Sequence, residues 1–112
     1  MKIHTGLSIT ALALSAALLA GCGQSGGVSG RDQNRFVQAC LEQTNMERPL
    51  CECIANLAAD ELTPGGFAML LASIEENDAR SAQLRSQLTM EELTQSGMFM
   101  VSAPGRCASN TN

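Results

Sequence analysis

The spacing of four cysteines is the feature that most constrains how this chain can fold. Cys40, Cys51 and Cys53 follow a C-x10-C-x-C spacing, and Cys107 lies close to the end of the 112-residue chain. Side chains two positions apart on a helix point about 200° apart around the helix axis. If Cys51 and Cys53 lie on a helix, they therefore diverge, and each sulfur needs a different partner.

Two disulfides that radiate from one helix satisfy this geometry. One bond would close a hairpin with the preceding helix, and the other would hold the C-terminus. We predict the pairing Cys40–Cys53 with Cys51–Cys107, because Cys40 lies close to the mirror position of Cys53 across a turn at residues 44–48. The reverse pairing, Cys40–Cys51 with Cys53–Cys107, stays open on the same grounds.

Helical signals dominate residues 31–112, and almost no strand pattern is present. Apolar residues recur at helical spacing, and each run follows a residue type that commonly begins a helix. The sequence therefore predicts an all-α fold, a small bundle of four to five short helices stapled by two disulfides. The predicted helix starts are Asp32, Pro49, Thr63-Pro64, Asp78 and a capping box formed by Thr89 and Glu92.

Two parts of this helical pattern carry more specific expectations. The last helix is expected to end near Val101, before Pro104-Gly105. Its segment GMFMV, residues 97–101, is apolar on all sides, which predicts that this helix is the most buried element. Gly65 and Gly66 fall in the first turn of the third predicted helix, where each costs about 1 kcal/mol, and the sequence offers no reason for them.

The N-terminus determines the expected compartment. Lys2 and the amino group give a basic start, and residues 7–20, LSITALALSAALLA, are almost entirely small or apolar. This segment is shorter than the about 20 residues that span a bilayer, and it is typical of a secretory signal. The sequence therefore predicts export, which also agrees with the high cysteine content.

The end of this segment, Leu19-Ala20-Gly21-Cys22, resembles the lipobox of bacterial lipoproteins. The resemblance implies that Cys22 carries a covalent diacylglyceryl lipid and becomes the acylated first residue of the mature protein. Stable anchoring needs two or more acyl chains, since a single chain binds a membrane only marginally. Gly23 stands where an inner-membrane retention Asp would stand, so the resemblance favours the periplasmic face of the outer membrane. The periplasmic side of the inner membrane is the alternative.

Cleavage would divide the chain into three parts. Residues 1–21 are the expected signal peptide, residues 22–30 the lipidated cysteine with a flexible Gly/Ser linker, and residues 31–112 the helical domain. The signal peptide contains His4 and Lys2, the only histidine and the only lysine. The mature chain would therefore carry six Arg against eleven Asp and Glu, a net charge of −5.

This composition limits the chemistry of the mature chain. Without His or Lys, neither a His-activated nucleophile nor a Schiff-base lysine is available, so we expect no enzyme and no catalytic residue. The acidic balance disfavours nucleic acid as a partner. We expect no metal site and no cofactor besides the lipid on Cys22. The alternative is a thiol-redox or Cu(I)-binding envelope protein that uses Cys51 and Cys53, with thioethers from Met90, Met98 and Met100.

The domain also resembles small helical envelope proteins with four cysteines in the order C…CxC…C. The resemblance is best in LCECIANLAADELTPGGF, residues 50–67, although acidic residues would be expected in place of Gly65 and Gly66. It implies an all-α fold and no known activity. The expected role is therefore a small binding or structural module of the cell envelope, with the membrane as one partner and an envelope protein as a candidate second.

The exposure of the large apolar side chains separates these two roles. A contiguous exposed patch among Phe36, Phe67, Phe99 and the methionines would indicate a binding module. Burial of all of them would indicate a structural role.

Overall fold

The computed structural model describes residues 27–110, and within this range it contains five α-helices and no strand. The helices are α1 (Gly30–Gln43), α2 (Arg48–Glu61), α3 (Pro64–Ile74), α4 (Asp78–Gln87) and α5 (Met90–Asn110). The predicted all-α bundle with two disulfides is confirmed. The expected signal peptide and Cys22 lie outside the described residues.

Three helix starts follow the predicted capping chemistry. Pro49 lies in the first turn of α2, where its missing N–H costs no hydrogen bond. The Thr63 hydroxyl accepts the N–H of Gly66 at 3.0 Å and so caps α3. At the start of α5, Thr89 and Glu92 form the predicted capping box. The Thr89 N–H donates to Glu92 Oε2 at 2.9 Å, and the Glu92 N–H donates to Thr89 Oγ1 at 3.1 Å.

Two other caps differ from the prediction. Ser29, rather than Asp32, caps α1, because its hydroxyl accepts the Asp32 N–H at 3.1 Å. Asn77, rather than Asp78, caps α4. In both cases the aspartate lies in the first helical turn, where its charge complements the positive end of the helix dipole. Aspartate is favoured both at the N-cap and in the first helical turn, so the sequence pattern did not show which of the two positions each aspartate occupies.

The order of the helices places the two ends of α5 against different neighbours. Helices α1 and α2 form a hairpin, and α2 packs antiparallel to α5. The N-termini of α3 and α5 meet, because the Thr63 hydroxyl donates to Glu92 Oε1 at 2.8 Å. Helix α5 therefore lies between α2 and α3, and α4 packs on α3 at the outside of the bundle.

The core lies between α1, α2, α3 and α5. The rings of Phe36 and Phe67 are centred 5.4 Å apart, and Phe99 is buried in the same cluster. Ala55, Ala58 and Ala103 are almost fully buried and allow the helices to approach closely. The remaining buried members are Val37, Ala39, Cys40, Cys51, Ile54, Leu62, Leu70, Leu71 and Cys107.

The close contact between α3 and α5 explains the two glycines that the sequence left without a reason. A Cβ atom at Gly65 would lie 2.7 Å from Leu88 Cδ2, and one at Gly66 would lie 2.9 Å from the Ser96 hydroxyl. Both distances are shorter than side-chain contacts allow. The glycines therefore let the start of α3 lie directly against the segment that begins α5.

The expectations for the last helix are wrong in two respects. Helix α5 does not end near Val101 but continues through Pro104 to Asn110. Proline normally interrupts a helix, but here the following turn is held by the buried Cys107 disulfide and by the ion pair of Arg106. Within GMFMV only Phe99 is buried, so this helix is not the most buried element.

Candidate functional site

The disulfides confirm that Cys51 and Cys53 diverge, but the preferred pairing is wrong. The bonds are Cys40–Cys51 and Cys53–Cys107, each with a Cα–Cα distance of 5.8 Å. The reverse pairing, which the sequence left open, is the one present. Cys51 and Cys107 are fully buried, so both bonds lie against the core.

The helix boundaries explain why Cys40 meets Cys51. Helix α1 ends at Gln43 and α2 begins at Arg48. Cys40 stands three residues before the end of α1, and Cys51 stands three residues after the start of α2. Cys51 is therefore the mirror position of Cys40 across the turn. The predicted turn, residues 44–48, was one residue longer than the observed turn, residues 44–47. This difference moves the mirror position of Cys40 from between Cys51 and Cys53 onto Cys51.

Both sulfurs of the C-x-C segment are therefore engaged with different partners, and neither is a free thiol in this structure. The methionines do not supplement them, because Met98 and Met100 point away from each other for the same reason as the cysteines. No cluster of three or more His, Cys, Asp or Glu side chains suited to a metal ion occurs within residues 27–110.

Helix α5 instead presents two different faces. Ser96, Phe99, Ala103 and Cys107 are buried, and at about 100° per residue they lie within one arc of about 80°. Positions on the opposite side of the helix are Met90, Thr94, Gly97, Met98 and Val101, and all five are exposed. These five residues are called the outward face of α5.

No helix within residues 27–110 is both long and apolar enough to cross a membrane.

The outward face carries three of the four large apolar side chains that are exposed within residues 27–110, and the fourth is Met100. Met90, Met98 and Val101 are 78%, 68% and 85% exposed. All three phenylalanines are buried, in contrast. The exposure test that the sequence suggested therefore gives a different result for each residue type. The aromatic side chains are buried in the core, and the methionines on α5 are exposed at the surface.

A groove runs beside this face, between the C-terminal end of α2 and the first half of α5. Its volume is about 660 Å³, which is within the range of about 300–1,000 Å³ typical of binding pockets. The buried side chains of Leu62 and Phe99 form its floor, and Met90 and Met98 stand at its edge. The other lining residues are polar or acidic: Glu61, Glu91, Thr94, Gln95 and Ser102.

Polar contacts fix the wall of the groove that α2 contributes. Arg106 donates two hydrogen bonds to the Glu61 carboxylate, at 2.8 and 2.6 Å. These bonds lower the pKa of Glu61 below its ordinary value and raise that of Arg106. The Gln95 amide also donates to the Glu61 carbonyl oxygen at 2.6 Å. The end of α2 is therefore held against α5 at two points.

Glu92 fixes the end of α5 that carries Met90. Its carboxylate accepts the Thr89 N–H and the Thr63 hydroxyl, so a single side chain connects the caps of α3 and α5. These hydrogen bonds, from the Thr89 backbone first and then from the Thr63 hydroxyl, lower the pKa of Glu92 below its ordinary value. The capping box was predictable from the sequence, whereas the bond from Thr63 depends on the tertiary fold.

Met100 differs from the methionines of the outward face. It is 50% exposed and lines a small apolar crevice of about 110 Å³ together with Phe36, Ile54 and Phe99. This crevice lies on another side of α5 from the groove. Met100 therefore provides an internal comparison for Met98, since it is a methionine on the same helix with a different environment.

The surface between α1 and α2 is mainly polar, in contrast to the groove beside α5 with its apolar floor. It contains a concavity of about 480 Å³ whose rim consists of exposed amides and charged groups. Arg48 and Glu52 lie there at 4.0 Å, a weak i,i+4 pair. The concavity is lined by Gln33, Asn34, Val37, Gln38, Arg48, Glu52, Ala55 and Asn56.

Sequence reasoning named the methionines of α5 as core residues, as candidate copper ligands and, with the phenylalanines, as members of a candidate exposed patch. It did not identify Glu61, Gln95 or Glu91, which line the groove. The available signal was the run from Gly97 to Val101, which is apolar on both sides of a helix although only one side can face the core.

Comparisons with known proteins give no match for this chain, whether it is compared with family models, with curated proteins or with solved structures.

Proposed function

We propose that this chain is a lipoprotein, anchored through Cys22 at the periplasmic face of the outer membrane, whose helical domain binds another envelope protein. The protein acts by binding and has no catalytic activity. The binding surface is the outward face of α5 together with the groove beside it.

The observation that carries the binding proposal is the exposure of Met90, Met98 and Val101 on one helix. A large apolar side chain that is exposed gains nothing from folding, and a contiguous group of such side chains is typical of an interaction surface. Methionine is common at these surfaces because its flexible side chain adapts to the partner.

The support for the anchor is the segment Leu19-Ala20-Gly21-Cys22 after an apolar stretch.

In-cell photocrosslinking tests the binding proposal. A photoreactive phenylalanine analogue would replace Met98 or Val101 on the outward face, and Asn34 in the polar concavity as a matched exposed control. We expect a discrete crosslinked protein band from positions 98 and 101 but not from position 34. Equal crosslinking from all three positions, or none from the outward face, would contradict a binding surface on α5.

The mass of the intact protein from cell envelopes tests the anchor. We expect a chain that begins at an acylated Cys22, with four thiols that react only after reduction. A mass that includes residues 1–21, or an unmodified Cys22, would show that the anchor proposal is wrong. This measurement does not depend on the crosslinking result, so the two parts of the proposed function can fail separately.

A further inference from the structure

We infer that the groove between α2 and α5 receives a basic amphipathic helix of the partner protein. This inference rests on the proposed function and adds the chemistry of the segment that is bound. The apolar side chains of that helix would occupy the groove, and its Lys or Arg side chains would lie at the acidic edge. Helix-in-groove recognition of this kind uses apolar residues at i, i+3, i+4 and i+7.

The apolar part of the groove is suited to this mode. Leu62 and Phe99 are held in the core, so the floor is rigid, whereas Met90 and Met98 at the edge are exposed and have adaptable side chains. The walls are also fixed, because Gln95 and Arg106 both bind Glu61. A preorganised groove loses less conformational entropy when a ligand binds.

Charge at the edge of the groove selects a basic partner. Glu61 and Glu91 both line it, and no Arg is among the lining residues. Arg106, outside the lining, neutralises Glu61 through two hydrogen bonds, so the uncompensated negative charge at the edge is that of Glu91. The Glu91 side chain has no hydrogen-bond or ion-pair partner within the described part of the chain, so its carboxylate is available to a bound Lys or Arg.

The same charges argue against two other occupants. A second copy of this chain would bring its own unpaired Glu91 to the interface, with no basic side chain among the lining residues to meet it, and like charges placed together are unfavourable. A membrane surface with anionic headgroups would be repelled for the same reason, and the mature chain is acidic as a whole. A helix with an apolar surface and basic side chains complements both the apolar floor and the acidic edge of the groove.

Binding of three designed peptides tests the inference. The first is an 18-residue helix with Leu at the i, i+3, i+4 and i+7 positions and Lys elsewhere. In the second, Glu replaces each Lys, and in the third, Ser replaces each Leu. Fluorescence anisotropy would be measured with the full chain in zwitterionic nanodiscs, with empty nanodiscs as the blank. We expect the Leu/Lys peptide to bind at least ten times more tightly than either of the other two.

Matched variants locate the binding site. Met98→Gln should weaken binding of the Leu/Lys peptide at least tenfold, whereas Met100→Gln on the other side of α5 should leave it unchanged. Glu91→Gln should weaken it about two- to fivefold at low salt, as is usual for an exposed ion pair. Glu42→Gln removes an exposed carboxylate from α1, outside the groove, and should have no effect.

Three results would overturn the inference. The Leu/Glu peptide could bind as tightly as the Leu/Lys peptide, Met98→Gln could leave binding unchanged, or light scattering could show a dimer that Met98→Gln dissociates. The proposed function fails differently, through the absence of crosslinks from positions 98 and 101. Crosslinks without peptide binding would therefore reject the basic helix but keep the binding surface.

Discussion

The two faces of α5 both carry apolar side chains but have opposite roles. The inward face presents Ser96, Phe99, Ala103 and Cys107 to the core, and the outward face presents Met90, Met98 and Val101 to solvent. Both contain large apolar side chains, so hydrophobicity alone does not distinguish them. The inward face is distinguished by what it contacts, namely a disulfide partner on α2 and the glycine-containing start of α3.

This difference shows that apolar residues on one helix do not all serve the same purpose. The inward face contributes to the free energy of folding, because its side chains are removed from water. The outward face makes no such contribution in the monomer. Substitutions on the two faces should therefore have separable effects on stability and on binding.

The largest expected difference is between Phe99 and Met98, which are adjacent in sequence. Phe99→Ala should reduce the free energy of unfolding by about 3–5 kcal/mol, because it removes a buried aromatic ring and leaves a cavity. Met98→Ala should change it by no more than about 0.5 kcal/mol, as for exposed positions in general. Urea unfolding followed by circular dichroism measures both. Similar losses from the two substitutions would mean that the outward face is packed in solution.

The disulfide on the inward face should have the next largest effect. In the chain-entropy model, replacing both Cys53 and Cys107 with Ala removes a link across 54 residues and costs about 4 kcal/mol. The same replacement of Cys40 and Cys51, which are 11 residues apart, should cost about 3 kcal/mol.

Hydrogen exchange would show where the Cys53–Cys107 bond acts. We expect the amides of residues 105–110 to exchange faster in the variant without this bond, because the turn after Pro104 then loses its covalent link to α2. The variant without Cys40–Cys51 serves as the control and should retain their protection. Unchanged protection in both variants would show that packing alone carries the helix past the proline.

The parts of the fold that the sequence predicted depend on local chemistry. Pro49, Thr63 and the Thr89/Glu92 capping box were identified because each acts within one helical turn. The divergence of Cys51 and Cys53 follows from helix geometry alone. The pairing of the cysteines did not follow, because it depends on helix ends to within two residues, and such boundaries are the least certain part of a sequence-based prediction.

The candidate site was less predictable, since it depends on which side of α5 meets its neighbours. The sequence GMFMV is apolar on both sides, and only the contacts of Phe99 and Ser96 determine which side is buried. The continuation of α5 through Pro104 has the same origin. There, the tertiary contacts of Arg106 and Cys107 prevail over the local preference of proline to end a helix.

Substitution of one glycine on α3 and one on α5 tests the same comparison, with a smaller expected change in the free energy of unfolding. Gly66→Ala should destabilise the protein by about 1–3 kcal/mol, because the new Cβ would lie 2.9 Å from the Ser96 hydroxyl. Gly97→Ala, on the outward face, has no atom within 4 Å of the new Cβ. It should stabilise the protein by about 0.5–1 kcal/mol through helix propensity. Thermal unfolding of both variants measures the contrast.

Ser96 provides the second half of this test. It is 2% exposed, and its hydroxyl has no hydrogen-bond partner among residues 27–110. Ser96→Ala should therefore stabilise the protein by about 1 kcal/mol, since it removes an unsatisfied buried group. Combined with Gly66→Ala, it should recover most of the loss, because the clashing oxygen is gone. Additive effects of the two substitutions would mean that the contact between α3 and α5 is looser than 2.9 Å.

The smallest effect is the pH dependence that arises where the inward face of α5 meets α3. The lowered pKa of Glu92 means that its carboxylate stabilises the fold. That contribution is complete above the pKa of the unfolded chain, about 4.3, and is lost as the pH falls through the lower folded value. Glu61, held by Arg106, behaves in the same direction. We therefore expect the protein to lose stability below about pH 5, by a modest amount because both carboxylates are in contact with solvent.

Urea unfolding between pH 7 and pH 2.5 measures this dependence. The free energy of unfolding plotted against pH should fall on the acid side, and Glu92→Gln should flatten this acid limb. The substitution removes one of the two carboxylates that stabilise the fold when they are deprotonated. The dependence that remains should come largely from Glu61 and should decrease further in the double variant with Glu61→Gln. Glu91→Gln is the neighbouring comparison, since Glu91 lies in the same first turn of α5 but its side chain has no partner within the described chain. It should flatten the acid limb less than Glu92→Gln does. If Glu91→Gln flattens the curve as much as Glu92→Gln does, then general acidity rather than the bonds to Thr63 and Thr89 determines the acid response. The junction of α3 and α5 would then not depend on that side chain.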